Sequence, residues 1–200
     1  QIQRVFFRAR YRAEPFQIAA TADEVWISAD AAKKAKKSSD FHAMQVWARK
    51  GAKYYLLDRI CERMTYPVFE QALDGLHAKW ANWRSATLIE DTANGTTYLQ
   101  CRAGVLPGLI AFHPNTHTPG KDKSKGARAV YLERAAEAGQ IILPEAWEHP
   151  WVEAFLAVVC AFPHGAHDDD VDAASQLIMR WVREGASDSN YADFFAGMGL

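Results

Sequence analysis

Over "VWISAD" (residues 25–30) the chain alternates: Ile27 and Ala29 point one way, Ser28 and Asp30 the other, which is the period of a strand. Two further runs, "FHAMQVWARK" (41–50) and "KYYLLDRICER" (53–63), flank a tight turn at Gly51 and predict a hairpin. The period then changes. After Thr65, suited to cap a helix, and Pro67 in its first turn, Phe69, Leu73, Leu76, Trp80 and Trp83 recur at three- and four-residue steps. That spacing predicts an amphipathic helix. "ATLIED" (86–91) and "LIAFHP" (109–114) read as short strands, with a helix between them beginning near Asn94. A loop over 115–126 leads into the helix "ARAVYLERAAEAG", which Gly139 should stop. "QIILP" is a short extended piece, and helices near 150–161 and 169–183 follow. Val171, Ala174, Ile178 and Trp181 form the apolar stripe of the last one.

This order predicts an α/β fold: a mixed five-stranded sheet, three antiparallel strands and then parallel ones, flanked by helices. Residues 1–24 are expected to be a lead-in segment or short docking strand, 25–184 the domain, and 185–200 a loosely held tail. Two hundred residues with 49% apolar content suffice for one domain with a sizeable core. Trp80, Trp83, Trp147 and Trp151 are expected to pack within it. A net charge of -1 leaves no global basic footprint, so an anionic partner must be held locally or through metal. Cys61, Cys101 and Cys160 form no C-x-x-C pair, which fits a reducing compartment and small core residues. No apolar run approaches ~18 residues and no signal peptide opens the chain, so no membrane partner is expected. The first residue is Gln1 rather than Met, as in a piece of a longer protein.

The chemistry lies in the acids. Asp30 ends the first predicted strand, Glu90 and Asp91 the fourth, and Asp168, Asp169 and Asp172 open the last helix. Strand carboxyl ends line the crevice of an open α/β sheet. Asp30 and Glu90 meet there if their strands are parallel neighbours. On the helix, 168 and 172 share a face, as do 169 and 172. Asp91 should point away and be structural. Converging carboxylates repel one another unless protonated or bridged by a cation, and oxygen-only donors favour Mg²⁺ or Mn²⁺. Two such ions ~3.5–4 Å apart activate water and stabilise the leaving oxygen in phosphodiester cleavage. The other reading is open as well: aspartates at a helix N-terminus are favoured by the helix dipole, and strand-end acids are often turn residues.

Lys121, Lys123, Lys125 and Arg128 in "KDKSKGAR", and Lys33, Lys34, Lys36 and Lys37 in "KKAKK", are either solvated loop residues or phosphate contacts. The place of "KKAKK" just after Asp30 favours DNA, with little base readout. His164 and His167 raise zinc, which wants compact His/Cys spacing; with no cysteine near, they read as loop histidines, His167 with a phosphate-facing alternative.

"VWISADAA" with Asp40 beyond it, "YYLLD", "LIEDTANG", "KGARA", "EAGQIILPE" and "AFPHGAHDDDVDA" occur in this order over residues 25–183. They resemble the C-terminal nuclease domain of the large terminase subunit of tailed bacteriophages, which has an RNase H-like (RuvC/integrase-like) fold. "LIEDTANG" and "HDDDVDA" together with "EAGQIILPE" are the specific part. The resemblance implies a metal-dependent endonuclease of low sequence specificity that cuts concatemeric double-stranded viral DNA for packaging in the infected bacterial cytoplasm. By motif it implies Asp30, Glu90 and Asp169 as catalytic acids, with Asp168 and Asp172 as further ligands of Mg²⁺ or Mn²⁺, two ions in all. The choice between Asp168 and Asp169 stays open. It also implies a portal and a small terminase subunit as partners. No G-x-x-x-x-G-K-[ST] occurs, so the family's N-terminal ATPase motor is expected to lie outside this chain. A non-catalytic DNA-holding or assembly module, and a resolvase or transposase on the same fold, are the alternatives.

Overall fold

Short apolar or alternating segments pair into one seven-stranded sheet, and helices cover both of its faces. The computed structural model describes residues 2–31, 41–92 and 94–188. In chain order its elements are β1 (Ala9–Tyr11), α1 (Pro15–Ala19), β2 (Glu24–Asp30), β3 (Phe41–Lys50), β4 (Lys53–Arg63), α2 (Tyr66–Lys79) and β5 (Ala86–Glu90). There follow α3 (Asn94–Arg102), β6 (Leu109–Phe112), α4 (Pro114–His117), α5 (Lys125–Glu137), β7 (Ile141–Pro144), α6 (Trp151–Ala161) and α7 (Asp169–Asp188).

The strands lie in the order β1-β7-β4-β3-β2-β5-β6. β2, β3 and β4 are an antiparallel meander; β5 and β6 extend it in parallel on one side, β7 and β1 on the other. This is the mixed sheet expected from the sequence, with two strands more than the five counted there. Both additions are short: "QIILP" supplies β7 and the lead-in segment supplies β1. Parallel pairing at the sheet margin makes them strands, and pairing of that kind leaves no period to read in three or four residues. Residues 115–117, expected as loop, join Pro114, expected as a strand end, in the short helix α4.

Alternation along β2 sorts two cores. Val25, Ile27 and Ala29 face Phe69, Leu73 and Leu76 of α2, Trp80 just past its end, and Tyr98 of α3. Trp26 faces the other way, toward α5, α6 and α7, where Val171, Ala174, Ile178 and Trp181 are buried. Each such large side chain contributes about 1.5–3 kcal/mol of burial. Two expectations fail. Trp147 lies in the turn between β7 and α6 and is 72% exposed, and Cys101 lies past the buried Tyr98 in the last turn of α3 and is exposed. Trp80 is buried, while Trp83 and Trp151 pack against the cores from partly buried positions, as do Ile60 and Cys160. Among the described residues, no helix is long and apolar enough to cross a membrane.

Helix α7 is fixed on the sheet by polar contacts. Ser28, Gln45 and Arg59 are successive cross-strand partners on β2, β3 and β4, so they form one row. Ser28 donates to the Ala173 carbonyl at 2.6 Å. Gln45 donates to the Asp170 carbonyl and carboxylate, both at 3.0 Å. Arg59 grips the Asp170 carboxylate with two bonds of 2.8 and 2.6 Å. Gln176 returns bonds to Ser28 at 2.8 Å and to the Ala29 carbonyl at 3.1 Å. Asp170 is fully buried and the Arg59 side chain is 8% exposed, so removing one charge strands the other. Asp170→Ala is expected to lower the unfolding free energy by about 3–5 kcal/mol, and Arg59→Met with Asp170→Leu to cost less than that single change. Urea denaturation checks both.

Candidate metal centre

β2 and β5 are parallel neighbours in register, Ala29 against Ile89, so their next residues, Asp30 and Glu90, stand side by side at the strand ends. Alternation turns both toward α7, on the side of Ser28 and Leu88. The backbone at Glu90 is tightly packed. A Cβ on Gly95, in the first turn of α3, would stand 2.1 Å from the Glu90 carbonyl oxygen, so only glycine lets α3 approach β5 this closely. Asp91 follows the strand and turns to other partners, accepting from Thr96 Oγ1 at 2.5 Å with His113 Nδ1 at 3.3 Å.

The mouth of α7 supplies the rest. The Asp168 carbonyl accepts the Val171 and Asp172 backbone N–H groups at 2.8 and 3.0 Å, which starts the helix there. With Asp170 turned into the sheet, the helical repeat leaves Asp168, Asp169 and Asp172 facing the strand ends. A cleft of about 280 Å³ is lined by Asp30, Glu90, Asp168, Asp169 and Asp172. Lys125 stands among them, donating to Asp168 Oδ2 at 2.8 Å and pairing with Asp172. Arg128 Nη2 donates to Asp172 Oδ1 at 2.9 Å and lies 3.9 Å from Glu90 Oε2.

The crowding of acids shows in their protonation. Burial, and then Asp172, Glu90 and Asp169 beside it, hold the Asp30 carboxyl well above its usual range against the pull of Lys125. Burial pushes Asp169 up to about 6, opposed by its own backbone N–H and aided by Asp168. Asp172 is also raised by burial, with Lys125 and Arg128 opposing. Burial favours a neutral Lys125 amine, yet Asp172 and Asp168 keep the ammonium above its ordinary range. Among the described residues, no three acid, histidine or cysteine side chains already stand in a metal-holding set. The donor chemistry nevertheless fits a hard divalent cation: carboxylate oxygens only, from two strand ends and one helix, whose mutual repulsion a cation relieves. Such a cation shares these acids with Lys125 and Arg128.

The basic residues divide. Arg128, expected to reach either solvent or a phosphate, does neither: its side chain is 4% exposed and bound to Asp172. Lys125 is likewise engaged with acids. Lys123 donates to the Thr118 carbonyl, while Lys121 is exposed. Lys33, Lys34, Lys36, Lys37 and Asp40 lie outside the described residues. His164 is exposed in the loop before α7; His167, also exposed, lines the cleft with Phe41 and Arg63, neither of which the sequence pattern singled out.

Residues 27–180 match the family model of the terminase RNaseH-like domain. The chain belongs to this family. No curated protein matches it. Solved structures share the fold at low identity. The large terminase nuclease domain of bacteriophage SPP1 with bound Mn is 12% identical, covering 87% of this chain and 97% of that one, with a TM-score of 0.56. The large terminase nuclease of thermophilic phage G20c with bound zinc is 16% identical, covering 76% and 78%, with a TM-score of 0.53. The large terminase of another thermophilic bacteriophage is 9% identical over 78% of this chain, with a TM-score of 0.54, and only 39% of that longer protein is spanned.

The raised acids make a stability prediction. A carboxyl whose pKa is higher in the folded state binds a proton on folding, so its contribution is full below pH ~4 and is lost as pH rises through the folded value. For Asp169 that window closes at about 6; for Asp30, held well above its usual range, it extends upward. Asp30→Asn is therefore expected to raise the melting midpoint in chelator near neutral pH and to flatten its decline from about pH 5 upward. Thermal melts across that range check it, and a lower midpoint contradicts it.

Proposed function

We propose that this chain is the endonuclease domain of a phage DNA-packaging terminase, hydrolysing phosphodiester bonds of concatemeric double-stranded DNA with low sequence specificity. The observation that carries the reading is the gathering of Asp30, Glu90 and Asp169, with Asp168 and Asp172, around one cleft of a terminase RNaseH-like domain. Asp30 and Glu90 offer oxygens from adjacent strand ends, and Asp169, with Asp168 as its neighbour, completes the set from the helix. Mg²⁺ or Mn²⁺, as a pair of ions, supplies the activation of water and the neutralisation of charge on the leaving oxygen when bound there. The Mn bound to the SPP1 domain is consistent with this choice.

The remaining residues support that chemistry. Arg128 orients the Asp172 carboxylate toward the cleft, and Lys125 steadies Asp168 and Asp172 together. Lys121, with Lys33, Lys34, Lys36 and Lys37, contacts the DNA backbone. The ATPase motor, portal and small terminase subunit bring the DNA to the cleft in the host cytoplasm. A second reading, a non-catalytic module that only holds DNA, draws on one observation: Lys125 and Arg128 already neutralise Asp168 and Asp172.

Plasmid nicking separates the two. The domain is expected to nick supercoiled DNA with Mn²⁺ or Mg²⁺ and not with chelator, and Asp30→Asn, Glu90→Gln and Asp169→Asn each to lose about a hundredfold or more. Nicking by Asp30→Asn at the wild-type rate removes that residue from the mechanism. Salt-sensitive DNA binding with no cation-dependent nicking by the wild type favours the holding module.

A further inference from the structure

The acid cleft has a second wall. Phe41 opens β3 and is the cross-strand partner of Arg63, the last residue of β4. In the sheet order, β3 and β4 lie on the side of β2 away from β5, so Arg63 and Phe41 flank Asp30 on the side opposite Glu90. The Arg63 guanidinium stands over the Phe41 ring, 4.9 Å from its centroid. The His167 ring meets the same phenyl group at 4.3 Å between centroids, tilted by 49°. All three line the cleft, and Arg63 and His167 are exposed there.

A strand of DNA approaching Asp30 meets repulsion from the acids, so it needs a cation near the mouth to seat it. Arg63 stands exposed at that mouth, on the wall opposite Glu90. Its flat fork matches a phosphate in two-point contact, and its seat on an aromatic ring restricts the side chain before the phosphate arrives. We propose that Arg63, seated on Phe41 with His167 on the same ring, is a phosphate contact that seats one DNA strand beside the acids. The proposal rests on the reading of this cleft as the DNA site, and it adds a positioning group the acids themselves do not supply. The contact goes to the backbone, so it is indifferent to base sequence.

The experiment measures binding rather than cutting. Fluorescently labelled duplex is titrated with the domain in Ca²⁺ at several salt concentrations, using wild type, Arg63→Gln, Arg63→Lys and Phe41→Leu. Melting midpoints and plasmid nicking in Mn²⁺ are recorded on the same preparations. Arg63→Gln is expected to melt like wild type, to bind roughly fivefold more weakly, and to lose about one unit of slope in log K against log salt. Arg63→Lys keeps the charge and is expected to retain the slope. Phe41→Leu keeps the apolar bulk but not the ring, and is expected to fall between. A folded Arg63→Gln protein with wild-type affinity and slope overturns the proposal; if that variant melts early, wild-type binding by Phe41→Leu overturns it instead. Wild-type nicking alongside unchanged Arg63→Gln binding removes only this inference. Weakened Arg63→Gln binding without any wild-type nicking keeps the contact and removes the nuclease reading.

Discussion

One row of polar side chains decides where the acids point. Ser28, Gln45 and Arg59 lie side by side across three strands, and helix α7 is fastened to them through Ala173 and Asp170. A helix held only by apolar contacts can slide or turn with small loss, because dispersion and burial have little direction. Hydrogen bonds to a buried carboxylate do have direction, and leaving one unmade is costly. With Asp170 gripped by Arg59, rotation along the helix carries Asp169 and Asp172 round to the strand ends where Asp30 and Glu90 stand. The same three consecutive aspartates therefore divide their labour: the third locks the helix, and its neighbours face the cleft.

The cleft stands against an electrostatic cost. Burial first, and then carboxylates gathered from three elements, raise the proton affinity of Asp30, and two cationic side chains from α5 relieve part of the charge. Lys125 and Arg128 hold Asp168 and Asp172, while Asp30 is left to a proton or to a cation. The arrangement trades stability for chemistry. A site that stores repulsion in the folded chain binds a divalent cation more strongly than a site already neutralised, because the cation gains both its ligands and the relief of their repulsion.

Much of this was legible in the sequence where period and position coincide. Two-residue alternation placed Asp30 at the end of an inner strand, and the apolar run before Glu90 placed that acid at another; both strands proved to be parallel neighbours. The stripe from Val171 to Trp181 identified the buried face of α7. What the sequence could not show depends on partners distant along the chain. Nothing local distinguishes Asp170 from Asp169, since the difference lies in Arg59 and Gln45, more than a hundred residues away. Arg128 in a lysine-rich stretch looks like a solvent-facing residue, and only the approach of α5 to α7 turns it inward onto Asp172. Phe41 and Arg63 are far apart in sequence but share the open end of a hairpin, and their meeting becomes visible only through strand register. β1 and β7 are too short for any period and exist through pairing with each other and with β4.

The claim at the centre is that acids from β2, β5 and α7 together hold divalent cations. Anomalous diffraction at the manganese edge from crystals of this domain soaked in Mn²⁺ tests it most directly. The account predicts a strong peak within ligand distance, about 2.0–2.3 Å, of oxygens from Asp30 and from at least one of Glu90 and Asp169. A saturated soak with no peak in the cleft, or with manganese bound only elsewhere on the surface, contradicts it.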